Sequence, residues 1–229
     1  MSKKKIVALG DSITKGILFA NEGEKKFNYT LCDNPFIRQV ANQLDAEEIN
    51  LGKMGCTIVV GEQILDRNMA KIVGAEYAVV CFGGNDSDYN WKQIAADRTK
   101  NHAPKTNLET FVATYIRIIE KLKDAQITPI LLSLPPIDAQ RYFDFFTCNL
   151  STEGNRNIIE WLNGSIQTIK KGHDLYNDAV KSIACSTKTK LIDITQVLGI
   201  GRDYLCMDGI HPTSVAHSKI AEQINLALS

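Results

Sequence analysis

The chain has 229 residues, and its 26 Lys+Arg are balanced by 26 Asp+Glu. Apolar residues make up 44 % and charged residues 23 %, values of an ordinary globular chain that exclude a disordered one. The charge balance gives no electrostatic footprint for nucleic acid or an anionic membrane, and a chain this long buries about 70–75 % of its unfolded surface without disulfide or metal staples.

In chain order, Met1-Ser-Lys-Lys-Lys and Ile6-Val-Ala-Leu9 have the flavour of a signal peptide. The apolar part stops at Gly10-Asp11-Ser12, short of the ~7–15 residues of a true hydrophobic region, so it reads as a first β-strand. Gly16 to Asp33 reads as a loop carrying Phe19, Phe27 and Tyr29. Asn34 then acts as an N-cap with Pro35 at the first helical position, and Phe36, Ile37, Val40, Ala41 and Leu44 form one apolar face. Glu48–Leu51 and Tyr77–Phe82 are the next short apolar runs. A second helical stripe follows at Leu108, Phe111, Val112, Tyr115, Ile118, Ile119 and Leu122. Ile127–Leu134 is the next strand. The uncharged stretch from Ile127 to Ile137 holds three prolines and is too short for the ~20 residues of a membrane span. Pro135 to about Trp161, with Arg141-Tyr-Phe-Asp-Phe-Phe146, interrupts the alternation. Leu191–Ile194 is the last strand, and Ile220, Ala221, Ile224 and Leu228 close a terminal helix.

Short apolar runs alternating with helical periods suit strands buried on both faces of a parallel sheet. They predict a doubly wound α/β domain over residues 1–229, with insertions near 16–33 and 135–161. Both insertions follow the C-terminal end of a predicted strand, the edge where open α/β sheets bind ligands. Their aromatic residues are either packing or a pocket wall. Six cysteines lie scattered with no C-x-x-C pair, which predicts reduced thiols and a cytoplasmic protein, with Cys81 in the core.

Four loops follow strands: Gly10-Asp11-Ser12-Ile13-Thr14, Asn50-Leu-Gly52-Lys-Met-Gly55, Gly83-Gly84-Asn85-Asp86 and Asp208-Gly-Ile-His211-Pro212. Each alone is a weak signal, but a parallel sheet opens all four on one edge. A hydroxyl nucleophile needs a base within hydrogen-bond reach, and the base needs an orienting carboxylate. Ser12, His211 and Asp208 can supply the three. The backbone N–H groups of Ser12 and Gly55 and the Asn85 amide can face a tetrahedral oxyanion, with glycine at 55 allowing close approach.

These blocks, in this order, resemble those of the SGNH (GDSL-type) hydrolases, from Gly10 to the terminal helix. The resemblance implies a flavodoxin-like three-layer α/β/α fold with a mainly parallel five-stranded sheet. It implies hydrolysis of O-acyl bonds, sometimes thioesters, with no metal or other cofactor. It makes Ser12 the nucleophile, His211 the base and then acid, Asp208 its orienter, and Ser12, Gly55 and Asn85 the oxyanion donors. Ala216 stands before His217 where many members carry glycine.

Other residues have plainer readings. Asp11 shapes the turn through backbone hydrogen bonds, and Asp86 and Asp88 order their loop, with divalent-cation binding as the alternative. His102, His173 and His217 read as surface or cap residues. Cys56 could rival the serine but lacks a base motif. Besides a serine esterase, a Mg-dependent phosphoryl-transfer enzyme built on Asp11 and Asp86, a lysophospholipase or thioesterase, and a non-catalytic binding module stay open. The expected substrate is a small acyl ester, acetyl to roughly butyryl, on a polar alcohol such as a sugar. Its motivation is polar residues among aromatics: Asn21, Glu22, Lys25, Lys26 and Asn28 in one segment, Arg141, Asp144 and Asn149 in the other. Nothing in the sequence sets an oligomeric state.

Overall fold

In the computed structural model, which describes residues 4–21 and 27–228, the first apolar run forms β1 (Lys4–Gly10). A one-turn helix, α1 (Ser12–Lys15), follows and ends on Gly16 at φ +85°. Next come β2 (Ile17–Asn21), β3 (Phe27–Leu31), α2 (Phe36–Gln43), β4 (Ala46–Asn50), α3 (Ile58–Ile72) and β5 (Tyr77–Cys81). The chain continues through α4 (Trp91–Ala96), α5 (Leu108–Asp124), β6 (Thr128–Leu132), α6 (Ala139–Thr147), α7 (Thr152–Trp161) and α8 (Gln167–Ser186). It ends with β7 (Lys190–Ile192), a 3-10 turn (Ile194–Gln196) and α9 (Ser214–Leu228).

Five strands make one parallel sheet in the order β4-β1-β5-β6-β7. Strand order reverses around β1, so the loops after β1, β4 and β5 meet at the crevice where such sheets bind ligands. Alternate residues feed two helical layers. Val7, Leu9, Ala78, Val80 and Leu131 pack with α3, α5 and α8, while Ile6, Ala8, Val79, Cys81 and Ile130 pack with α2 and α9. The expected three-layer α/β/α sandwich is therefore the observed fold. Phe36, Phe82 and Phe111 are fully buried in it, each worth about 1.5–3 kcal/mol of transfer free energy. No described helix is long and apolar enough to cross a membrane.

Three local expectations change. Pro35 is extended (ψ 159°) and is itself the cap of α2, so Asn34 lies one residue further out. Within 16–33, β2 and β3 pair antiparallel instead of forming a loop, with Phe19 opposite Tyr29 and their ring centroids 5.4 Å apart. The segment 135–161 folds into α6 and α7. Side chains of Asp138 and Ser151 cap their first turns by accepting the N–H groups of Arg141 and Gly154. With α4, these helices build a third apolar cluster around Trp91, Ile94, Phe143, Ile158 and Leu162, beyond the loops that follow β5 and β6.

Candidate active site

Ser12 opens α1 immediately after β1, and Asp11 caps that turn by accepting the Ile13 N–H at 2.9 Å. His211 comes from the opposite end of the chain, on the loop between β7 and α9. There Asp208 Oδ1 accepts the N–H groups of Ile210 and His211, at 3.2 and 3.1 Å, which folds the four-residue turn. Asp208 Oδ2 then stands 2.5 Å from His211 Nδ1. That contact keeps the proton on Nδ1, leaving Nε2 to accept the Ser12 hydroxyl at 2.9 Å. Ser12, Asp208 and His211 are all buried, Asp208 completely.

The two glycine loops converge on the same serine. Asn85 donates one amide N–H to Asp11 Oδ2 at 3.1 Å, which fixes its plane and leaves its second N–H for a ligand. Gly55 sits at φ +70°, a conformation that side-chain-bearing residues avoid, and a Cβ there would meet nothing within 4 Å. Its requirement is thus one of backbone conformation, not of clearance. The β4 loop is pinned to the serine turn by Asn50 Nδ2 donating to Thr14 O at 2.9 Å and Lys53 N donating to Gly10 O at 3.1 Å. Asp86, fully buried, accepts the Ile58 N–H at 2.9 Å and so ties α3 to the Asn85 turn. Burial raises the Asp86 carboxyl to about 6, and burial also raises that of Asp11.

The structure also places the other residues singled out in the sequence, some as expected and some not. His217 is fully buried, stacks on Phe36 at 5.8 Å and accepts its backbone N–H at Nδ1, so it caps α2 across 181 residues. Burial drives its pKa down to about 4. His173 is not on the surface: it is 7 % exposed and lines the cavity beside Ser12. Arg141 does not face a ligand. It pairs with Asp138 at 2.8 Å and donates to the carbonyls of Ile200, Leu205 and Cys206, clamping the loop that carries Asp208 and His211. Asp144 accepts from Gln140, while Glu22, Lys25 and Lys26 lie outside the described residues. Burial, reinforced by Asp11, pushes the Cys56 thiol up to about 11, which leaves it protonated and inert beside Ser12. Asp88 orders its loop by accepting from Trp91 Nε1 and Lys105 Nζ, each at 2.8 Å. Among the described residues no group of three His, Cys, Asp or Glu side chains could hold a metal ion.

Ser12, Asn85, Gly55 and His211 open onto a cavity of about 250 Å³. Its lining is aromatic, with Tyr89, Trp91 and Trp161 on it and the rings of Tyr89 and Trp161 meeting at 4.9 Å. Rings this close form a wall; a cage for a cation would need them apart. Tyr29 stands at the mouth, its ring 5.5 Å from the His211 imidazole, and burial with the Asp208 charge holds its hydroxyl up at about 12.

A family profile described as GDSL-like Lipase/Acylhydrolase family matches residues 8–219. No curated protein matches the sequence. Among solved structures the chain is similar to an aryl esterase of M. smegmatis, with a TM-score of 0.67, 15 % identity and 98 % of each chain covered. It is similar to a carbohydrate acetylesterase from Sinorhizobium meliloti, with a TM-score of 0.67, 13 % identity, and 99 % of this chain and 98 % of that one covered. An acetyl xylan esterase from Geobacillus stearothermophilus aligns with a TM-score of 0.64 and 20 % identity, over 97 % of this chain and 93 % of the other. At such identities the structural likeness carries the fold alone.

Proposed function

Because the chain belongs to the GDSL-like lipase/acylhydrolase family and is a serine ester hydrolase, we propose that Ser12, His211 and Asp208 are its catalytic triad. The observation that carries this reading is the unbroken path from Asp208 Oδ2 through the His211 ring to Ser12 Oγ, at 2.5 and 2.9 Å. Ser12 Oγ attacks the ester carbonyl while its proton passes to His211 Nε2, and Asp208 stabilises the imidazolium. The oxyanion accepts from the Ser12 and Gly55 N–H groups and from Asn85 Nδ2. Collapse expels the alcohol, which takes the proton from His211. Water then attacks the acyl carbonyl as His211 takes one of its protons, and the second collapse breaks the bond to Ser12 Oγ, which recovers the proton from His211 as the acid leaves.

The alcohol must leave on the His211 side, toward Tyr29, where an aromatic face suits a sugar or another small polar alcohol. The acyl group then enters the cavity. A void of about 150 Å³ takes a benzene ring, so the larger cavity suits acyl groups of about four to eight carbons. This extends the acetyl-to-butyryl range that polar rim residues suggested, since Arg141 and Asp144 are bound within the protein.

Two measurements test the proposal separately. A fluorophosphonate probe is expected to label Ser12 and no cysteine, and labelling of Ser12→Ala at the parental rate would overturn the triad. Across p-nitrophenyl esters from acetate to decanoate, kcat/KM should climb about fourfold per methylene, as ~0.8 kcal/mol each implies, and peak between butyrate and octanoate. Acetate favoured tenfold over hexanoate would return the acyl site to the shorter range.

A further inference from the structure

We propose that the acyl cavity selects flat aromatic acyl groups, arylacetyl above all, over straight chains and saturated rings of the same carbon count. This deepens the esterase reading above and rests on it.

The chain has two tryptophans, and both line this cavity, with Tyr89, Tyr142 and Phe145 beside them. Aliphatic walls would serve a straight acyl chain as well, because the burial of methylenes is non-directional. Aromatic walls add a directional preference: ring pairs that are offset-stacked or edge-to-face attract beyond the area they bury. The occupant that draws on this preference is another ring.

The lining rings are also held in place. Trp91 opens α4, where its Nε1 donates to Asp88 Oδ1 at 2.8 Å and its plane stacks on Phe146 at 4.4 Å. Trp161 closes α7 and meets Tyr89 at 4.9 Å and 69°, and His102 at 6.0 Å and 86°. Asn157 Nδ2 donates to Ala95 O at 2.9 Å, and Glu160 pairs with Arg98 at 2.6 Å, so α7 is tied to α4 and the residues after it. The planes of Trp91 and Trp161 stand at 84° to each other. A flat ring parallel to one is therefore edge-on to the other, and both favourable geometries are open to it at once. A saturated ring has no π-face to offer, and an alkyl chain must also give up the freedom of several bonds. A void of about 150 Å³ takes a benzene ring, so the cavity of about 250 Å³ holds one with a one-carbon link to the carbonyl.

The test compares the p-nitrophenyl esters of phenylacetate, cyclohexylacetate and octanoate on the intact protein. All three acyl groups have the same carbon count and share one leaving group. Each kcat/KM is divided by the rate at which hydroxide cleaves the same ester, which removes differences in intrinsic reactivity. Phenylacetate is expected to exceed each of the others by about threefold or more, as ring-on-ring contacts imply. Trp161→Leu should cut the phenyl-to-cyclohexyl ratio by about threefold or more, while Trp161→Phe, which keeps a ring, should retain most of it. Tyr89→Leu should move the ratio in the same direction, and it reads the effect where Trp161→Leu does not fold. A smaller preference for phenylacetate over either competitor, or a ratio that the folded leucine variants leave unmoved, would overturn the proposal. Fluorophosphonate labelling of Ser12 in the parent separates the two readings. Labelling with the wrong ratio removes the aromatic preference alone, whereas a parent that neither labels nor hydrolyses any of the three esters removes the esterase reading and the preference with it.

Discussion

Asn85 illustrates how much of this chemistry depends on a side chain being held, not merely present. One of its amide hydrogens is committed to Asp11, and the other is thereby aimed. Asn85→Ala should lower kcat by 10²–10³, about 2.7–4 kcal/mol, with little change in KM, because the contact tightens in the transition state. Steady-state kinetics decide it, and a variant within threefold of the parent would remove Asn85 from the oxyanion site. Asp11→Ala keeps the amide but frees its plane, so a smaller loss of about tenfold is expected. The double variant should lose little more than Asn85→Ala alone, since the two changes act through one group. Ser12, His211 and Asp208 were legible in the sequence because each lies in a short polar loop after an apolar run. The link from Asp11 to Asn85, 74 residues apart, was not. Nor was the burial of His173 and His217, whose neighbours come from elements remote in the chain.

At the scale of elements, α6 supports the loop that carries His211. Arg141 on its first turn joins three backbone carbonyls of the loop 200–206, and Gly209, at φ +75°, packs its backbone against Asp138 and Arg141. Arg141→Met keeps the aliphatic stem and removes the charge-assisted hydrogen bonds. It should cost about 2 kcal/mol in a urea titration. It should also lower kcat more than it raises KM, with faster amide exchange at Gly209 and His211. Unchanged exchange in that loop would refute the clamp. Sequence reading placed Arg141 on a ligand-facing rim because its partners are carbonyl groups, which no side-chain pattern reveals. The same blindness hid the β2–β3 ribbon: its cross-strand pair of Phe19 and Tyr29 is mixed with polar residues and gives no clean alternation. The buried parallel strands and the long amphipathic stripe of α5 were plain, because burial on both faces or on one face imposes a simple period.

For the whole molecule, two buried groups pull the acid response in opposite directions. Asp86 titrates near 6 in the folded chain against 3.8 in the open one, so its contribution to stability grows as pH falls from about 6 toward 4. His217 titrates near 4 against 6.5, so its contribution is full above 6.5 and is lost as pH falls toward 4. Each amounts to about 3 kcal/mol over nearly the same window, with opposite sign. Asp86→Asn, which still accepts from Ile58, should expose the histidine's loss. The difference in unfolding free energy between parent and variant should change by about 3 kcal/mol between pH 7 and pH 4. A difference independent of pH would show that Asp86 is not shifted. The pairing of Ser12 with His211 also spans 199 residues of chain. Ser12 therefore gains its contact with His211 only after β7 has joined the sheet and the loop ahead of α9 has docked, so the proposed nucleophile stays inactive until that distant pairing has closed. In a refolding experiment hydrolysis should return after helical circular dichroism and never before it, which makes turnover a clock for the closing of this 199-residue separation.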